Sequence, residues 1–182
     1  ILDKNKIVIV GSGLDFHALD WYRSIKKVCY NREVLYLTDM IKSEGKDKII
    51  NRDDNVTTLF KIDNFLFRNQ SNLGNIWRNL VKIFFFKIQV RRLKKFAIRH
   101  PNAIYHAHTM YYMLLCWKAD IKFIGSPQGD EILIRPNNSK IYKYFAVKGL
   151  KAADRIIVDS LNLKNGITNY ILVEQIFHND IT

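Results

Sequence analysis

The sequence is poor in the residues that mark secreted, metal-binding and linker-rich proteins. It has two cysteines, Cys29 and Cys116, and three prolines in 182 residues. Two distant cysteines form neither a zinc knuckle nor the disulfide framework of a small secreted protein, so we interpret them as reduced thiols of a cytoplasmic protein. Because no stretch rich in proline, glycine and serine divides the chain, its length predicts one domain with one sizeable core.

Long apolar segments are also missing. The chain has no uncharged apolar run of about 18 residues or more, so we expect no transmembrane helix. The stretch from Ile1 to Lys6 is too briefly apolar for a secretory signal and leads directly into a predicted strand. We therefore expect no cleaved leader in this sequence.

Acidic residues are scarce relative to basic ones. The chain has 17 Asp and Glu against 29 Lys and Arg, which gives a formal net charge of +12. A surplus this large predicts an anionic partner such as nucleic acid, anionic lipid or a phosphorylated ligand. Much of the charge lies in a predicted helix from about Gly74 to Arg99, which contains no acid. Its cations are Arg78, Lys82, Lys87, Arg91, Arg92, Lys94, Lys95 and Arg99.

Apolar residues of this basic helix recur at spacings of three and four, which predicts one side that packs on a sheet. This seam consists of Ile76, Leu80, Ile83, Phe86, Val90, Leu93 and Ala97. Trp77, Phe84 and Phe85 lie off the seam. Aromatic residues beside cations also suit a helix on an anionic membrane surface, so both interpretations stay open. No recognised nucleic-acid-binding module is present, and we expect no nucleic-acid partner.

Short apolar strands alternate with helices along the chain. The predicted strands are Lys6–Val10, Glu33–Leu37, Asn55–Ile62, Ala103–Tyr105, Ile121–Ile124, Arg155–Val158 and Ile171–Phe177. This alternation predicts an α/β fold, a Rossmann-like parallel sheet with helices on both faces. Because crossovers in such sheets are right-handed, all strand-to-helix loops share one edge, and ligands bind at that edge.

The first polar cluster at this edge is Gly11-Ser12-Gly13. Glycines after a first strand let a phosphate approach the backbone at a helix N-terminus. The dinucleotide fingerprint requires a third glycine, and Phe16 occupies that position. Asp39 ends the second strand and could hold a ribose, so an NAD- or FAD-binding oxidoreductase domain stays an alternative. A simple tight turn is the other interpretation.

Three further polar clusters follow strands. His106 and His108 are two residues apart, so both imidazoles point to one side of a strand. A metal site needs three or more protein ligands, so we expect no metal, and we expect one histidine to pack while the other reaches the site. The segment Gln128-Gly129-Asp130-Glu131 suits either acid/base and hydroxyl-binding work or a helix-capping turn. Asp159-Ser160 likewise fits a helix N-cap.

Taken in order, these segments resemble the N-terminal domain of a GT-B glycosyltransferase of the family 4 retaining type. The more specific matches are Ser126–Pro136 and Leu150–Ser160. In the second of these segments, a helix ends in Ala-Asp before an apolar strand and Asp-Ser. Gly11–Gly13 and Ile104–His108 also match. The resemblance implies that residues 1–177 form a Rossmann-like, acceptor-side domain. Residues 178–182 would begin an interdomain hinge, with the donor-binding second domain absent.

The resemblance also implies a role for each cluster. Transfer from a nucleotide-sugar to a glycan or lipid-linked acceptor, in bacterial surface polysaccharide or lipopolysaccharide synthesis, would retain anomeric configuration and need no metal or other cofactor. Catalytic roles would fall to His108 and Asp130, and the donor diphosphate would approach Gly11, Ser12 and Gly13. Acceptor or sugar would contact His106, Gln128, Gly129, Glu131, Asp159 and Ser160.

A membrane location follows from the same resemblance, because lipid-linked acceptors lie at the inner membrane. The protein would then be peripheral on its cytoplasmic face, through Arg78, Lys82, Lys87, Arg91, Arg92, Lys94 and Lys95. A non-catalytic lipid- or glycan-binding module is a further alternative. The isolated chain is expected to bind acceptor or membrane and to be a poor catalyst.

Overall fold

The computed structural model describes residues 6–13, 15–38, 55–59, 72–172, 174 and 176–178. In the helix of residues 72–99, the side chains of residues 72–75, 78, 79, 81 and 82 lie outside this description, as does that of residue 178. The chain divides into two compact units, one up to Ala103 and one from Ile104 onward.

Three parallel strands lie in the part of the first unit that the structure describes. Strand β1 (Lys6–Gly11) pairs with β2 (Glu33–Thr38), which pairs with β3 (Val56–Thr58). Helix α1 (Phe16–Val28) connects β1 to β2. Most residues of β1 are β-branched and apolar, whichever face of the sheet they point to, as expected of a parallel strand that is covered on both faces. Val8, Ile9 and Val10 are fully buried. The ring centroids of Tyr22 on α1 and Tyr36 on β2 lie 5.3 Å apart within this core.

Helix α2 (Asn72–Arg99) ends the first unit. Its C-terminal half packs through Leu93, which is fully buried. The sequence left packing on a sheet as one of two interpretations of this helix, and it does not hold for Ile76, Leu80 and Ile83, which are 59%, 44% and 71% exposed. Periodicity determines which residues share a helix face, but it does not determine whether another element covers that face.

Among its described residues, the second unit has four parallel strands in the order β4-β5-β6-β7. The strands are β4 (Ile104–His108), β5 (Phe123–Ser126), β6 (Arg155–Val158) and β7 (Ile176–His178). The helices are α3 (Met110–Lys118), α4 (Gly129–Leu133), α5 (Arg135–Asn138), α6 (Lys140–Ala152) and α7 (Leu161–Thr168). Cys116 on α3 is buried, and both it and Cys29 are free thiols.

The predicted α/β, Rossmann-like fold is confirmed, because the described residues form three parallel strands in the first unit and four in the second, with helices between most of them. In the sequence, Ser139 is a preferred N-cap residue before a helix predicted from Lys140 to Ala153. This is confirmed, since its Oγ accepts from the amide of Tyr142 at the start of α6 at 3.2 Å. The last strand begins at Ile176 rather than Ile171. The amide of Ile171 donates to the carbonyl of Ile167 at 3.2 Å, so this residue is bonded to the last turn of α7 instead. Across the described residues, no helix is long and apolar enough to cross a bilayer.

Candidate functional site

Strand β4 ends in two histidines whose ring centroids lie 6.3 Å apart. His106 is 3% exposed, and its Nε2 lies 2.7 Å from the hydroxyl oxygen of Ser126 on β5. Burial, and to a lesser degree the neighbouring His108, lowers the pKa of His106 to about 3. His106 is therefore an uncharged packing residue at neutral pH. His108, which is also buried, occupies the carboxyl end of the strand.

The residue after His108 has a strained backbone. Thr109 has φ 76° and ψ 154°, a conformation that is otherwise almost confined to glycine. Its amide donates to the carbonyl of Ser126 at 2.9 Å, and its carbonyl accepts from the amide of Met113 at 3.1 Å. These bonds hold the loop between β4 and α3 against β5. Strain of this kind is concentrated at binding and catalytic sites.

A buried carboxylate joins this loop to the next one. Oε2 of Glu131 accepts from the amide of Met110 at 2.8 Å and from the amide of Gln128 at 3.0 Å. No side-chain hydrogen bond from Thr109 caps α3, so Glu131 supplies the acceptor for the first amide of that helix. Burial raises the pKa of Glu131, although both amides and Arg135 favour its charged form. The loops after β4 and β5 are thereby fixed to each other.

The neighbouring carboxylate lies nearer the surface. Oδ2 of Asp130 accepts from Nε of Arg135 at 2.9 Å and from Nη2 at 2.6 Å. The two side chains are 43% and 51% exposed, for Asp130 and Arg135 respectively. The guanidinium also lies 5.9 Å from the ring centroid of Tyr142. Because both bonds end on Oδ2, the ion pair leaves Oδ1 of Asp130 unused, and Arg135 fixes the orientation of an accessible carboxylate.

Gly129 is the first residue of α4, and the fold places no visible demand for glycine there. A Cβ added at this position would meet no heavy atom within 4 Å, and its φ lies outside the left-handed region. Glycine in such a position usually lowers stability relative to alanine. Because packing does not explain glycine at position 129, a role in contact with acceptor or sugar fits this residue. That role stays a prediction.

We therefore expect Gly129→Ala to raise the free energy of unfolding by about 0.5–1 kcal/mol, since alanine restricts the unfolded chain. Urea denaturation followed by circular dichroism measures this. Gly11→Ala is the control and should be destabilising, because a Cβ there would lie 2.9 Å from the hydroxyl of Tyr36. Loss of stability in Gly129→Ala would show that the fold itself requires this glycine.

The glycine loop lies in the first unit, whereas the other clusters lie in the second. The hydroxyl of Tyr36 donates to the carbonyl of Ser12 at 2.7 Å, directly beside Gly11. This packing by itself accounts for Gly11. Oδ1 of Asp15 accepts from the amide of His17 at 3.0 Å, so the chain's own carboxylate caps α1. The donor-diphosphate role of Gly11, Ser12 and Gly13 stays a prediction, and Asp39 lies outside the described residues.

The last cluster forms a helix cap. Oγ of Ser160 accepts from the amide of Leu163 at 3.3 Å at the start of α7, and Asp159 beside it is exposed. The sequence left this capping role open as one of two interpretations. Sugar binding by Asp159 and Ser160 stays a prediction.

Two residues of this site were not named as functional from the sequence. Ser126 pairs in register with His108, and a hydroxyl at the end of an apolar strand is a signal that could have indicated it. Arg135 follows Asp130 by five residues, which is not a helical contact spacing. Their contact arises because the chain turns at Ile134 between α4 and α5. Within the described part of the chain, no group of three or more His, Cys, Asp or Glu could hold a metal ion.

Comparison with known proteins identifies the fold. No profile of a known protein family matches the chain, and no curated protein sequence matches it. The chain is similar in structure to UDP-N-acetylglucosamine 2-epimerase from Rickettsia bellii, with a TM-score of 0.55 and 7% sequence identity. The match covers 95% of this chain and 43% of that protein, so the chain spans less than half its length. The similarity shows a Rossmann-like domain of the GT-B type.

Proposed function

We propose that this chain is the acceptor-side domain of a retaining glycosyltransferase that uses a nucleotide-sugar donor. The observation that supports it best is the coupling of two strand-end loops through buried Glu131. This contact places the loop after His108 against the loop that contains Gln128 and the Asp130–Arg135 pair. Similarity to a domain of a sugar-nucleotide enzyme supports the proposal at the level of fold.

The proposed roles follow from the chemistry of each group. Oδ1 of Asp130 and the side-chain amide of Gln128 bind the acceptor hydroxyl, and Arg135 positions Asp130. His108 donates a hydrogen bond to the donor sugar, and Glu131 holds both loops in place. The acceptor oxygen forms a bond to the anomeric carbon as the bond from that carbon to the diphosphate breaks. The hydroxyl proton leaves with the released nucleoside diphosphate.

In a protein that contains this chain, we expect Asp130→Ala to lower kcat/KM for sugar transfer by about 100-fold, because the acceptor hydroxyl loses the carboxylate that orients it. His108→Ala is expected to act in the same direction. The assay is acceptor-dependent release of nucleoside diphosphate, with circular dichroism to verify folding. Asp154→Ala is a matched control, because Asp154 is exposed and precedes β6, at the opposite edge of the sheet. Near-normal turnover in both site variants contradicts the assignment.

A second candidate is a sugar-nucleotide epimerase, which the structural similarity favours. Incubation of UDP-N-acetylglucosamine without an acceptor distinguishes the two by NMR. Inversion at C2 of the sugar supports the epimerase, and acceptor-dependent transfer supports the first proposal. Saturable NADH binding at micromolar concentration, seen by fluorescence, would instead favour a dinucleotide-binding oxidoreductase domain.

A further inference from the structure

The exposed side of α2 combines large apolar side chains with cations. The apolar ones are between 44% and 80% exposed, and the cations are exposed as well. We call this surface the α2 face, and it consists of Ile76, Trp77, Leu80, Ile83, Phe84, Lys87, Arg91, Lys94, Lys95 and Ile98. Isolated exposed apolar residues are common, whereas a contiguous apolar patch usually marks an interaction site.

Helical geometry places these residues on one side of α2. At about 100° per residue, Ile76, Ile83 and Lys94 fall within one narrow stripe. Leu80 and Lys87 fall in the same stripe, and Trp77, Phe84, Arg91 and Lys95 form the stripe beside it. Leu93 and Gln89, which are fully or nearly buried, lie on the other side of the helix. Ile98, which is 70% exposed, falls in the same stripe as Leu80 near the end of the helix. The α2 face is therefore apolar toward the N-terminus of the helix, and toward its C-terminus it combines the cations with Ile98.

We propose that the α2 face docks on the surface of an anionic phospholipid bilayer. The apolar end enters the boundary between headgroups and acyl chains, and the cations bind lipid phosphates, as in other interfacial helices. Residues 72–99 include no acid that could weaken this attraction. The proposal does not depend on sugar transfer, since a catalytically inactive protein would bind in the same way.

Charge and apolarity together favour a bilayer over other occupants. A second copy of the chain would bring two cationic faces together in a protein of net charge +12, and like charges repel. Nucleic acid would satisfy the cations, but it gives no favourable contact to the exposed aliphatic side chains of Ile76, Leu80 and Ile83. A bilayer with anionic headgroups satisfies both ends of the face.

The cationic end is tested with vesicles of phosphatidylcholine alone and of phosphatidylcholine with phosphatidylglycerol at a ratio of about 3:1. The protein that contains this chain should cosediment with the anionic vesicles at low salt and much less at high salt. The triple variant Arg91→Glu, Lys94→Glu, Lys95→Glu should weaken partitioning roughly 100-fold or more, since each cation contributes about fivefold. Equally weak binding to both vesicles overturns the proposal.

A charge-matched control comes from α6. The triple variant Lys140→Glu, Lys148→Glu, Lys151→Glu changes exposed residues and alters the net charge by the same amount. It should weaken partitioning less than about tenfold if the α2 face is the contact. An equal loss in both triple variants would show binding through net charge alone and overturn the assignment.

The apolar end is tested with the double variant Trp77→Ser, Phe84→Ser, whose parent side chains are exposed and whose folding should be normal. Partitioning should fall about tenfold or more, with the salt dependence preserved. Vesicle-induced blue shift of tryptophan emission should decrease in the variant. Unchanged partitioning, or a changed sedimentation coefficient that reveals loss of a dimer, contradicts membrane docking. Nucleic-acid binding without vesicle binding also contradicts it.

Discussion

Replacement of Glu131 by alanine is expected to destabilise the protein by about 2–5 kcal/mol. Its carboxylate is 5% exposed and is the acceptor for the amides of Met110 and Gln128. Removal leaves the buried amide of Met110 and the partly buried amide of Gln128 without this acceptor, and an unsatisfied donor costs up to about 1–3 kcal/mol, most where it is buried. Urea denaturation at neutral pH measures the change. Loss of protection of the Met110 amide in hydrogen exchange would show where the structure opens.

Glu131→Gln is the matched control, because the amide oxygen of glutamine still accepts hydrogen bonds. Burial raises the pKa of Glu131, so the folded state disfavours its charge and a neutral replacement is expected to be within about 1 kcal/mol of the parent. Asp130→Ala should also cost less than about 1 kcal/mol, because its ion pair is half exposed. Parent-like stability of Glu131→Ala would contradict the coupling of the two loops. A large loss of stability in Glu131→Ala and a small one in Asp130→Ala would show that Glu131 holds the two loops together and that Asp130 does not.

The second large effect is a loss of folding stability at acidic pH, caused by His106. The pKa of His106 is about 3 in the folded protein and 6.5 when unperturbed, so the unfolded chain binds more protons between these values. The contribution of neutral His106 to stability is therefore complete above pH 6.5 and is lost as pH falls. We expect the parent to lose up to about 1.4 kcal/mol per pH unit below pH 6.5 relative to His106→Asn.

Glu131 opposes this trend within part of the same range. Its pKa is raised from an ordinary value near 4.5, so its contribution is lost as pH rises through the folded pKa. The slope assigned to His106 is therefore read from the difference between the parent and His106→Asn, with both proteins also compared in the Glu131→Gln background. His17→Asn, at an exposed histidine, is the control. Parallel pH profiles for the parent and His106→Asn would refute a neutral, buried His106.

The sequence determined the local elements of this protein. β-Branched apolar runs such as Ile7–Val10 predicted strands that are covered on both faces, and the alternation with helices predicted a parallel sheet. The hydroxyl of Ser139 was predicted to cap a helix because capping depends on residues three positions apart. These features follow from backbone preference and short-range spacing, which any window of the chain contains.

Only the tertiary structure decided which polar groups meet. The contact between Glu131 and Met110 joins residues 21 positions apart, and no spacing in the sequence indicates it. Asp130 meets Arg135 because two short helices meet at Ile134. The exposure of Ile76 and Ile83 was likewise invisible to periodicity, since an apolar stripe is the same in sequence whether a neighbour covers it or not. Sequence patterns specify which side chains lie on each face of a helix or strand. The burial of those side chains and their polar contacts depend on where the fold places distant segments.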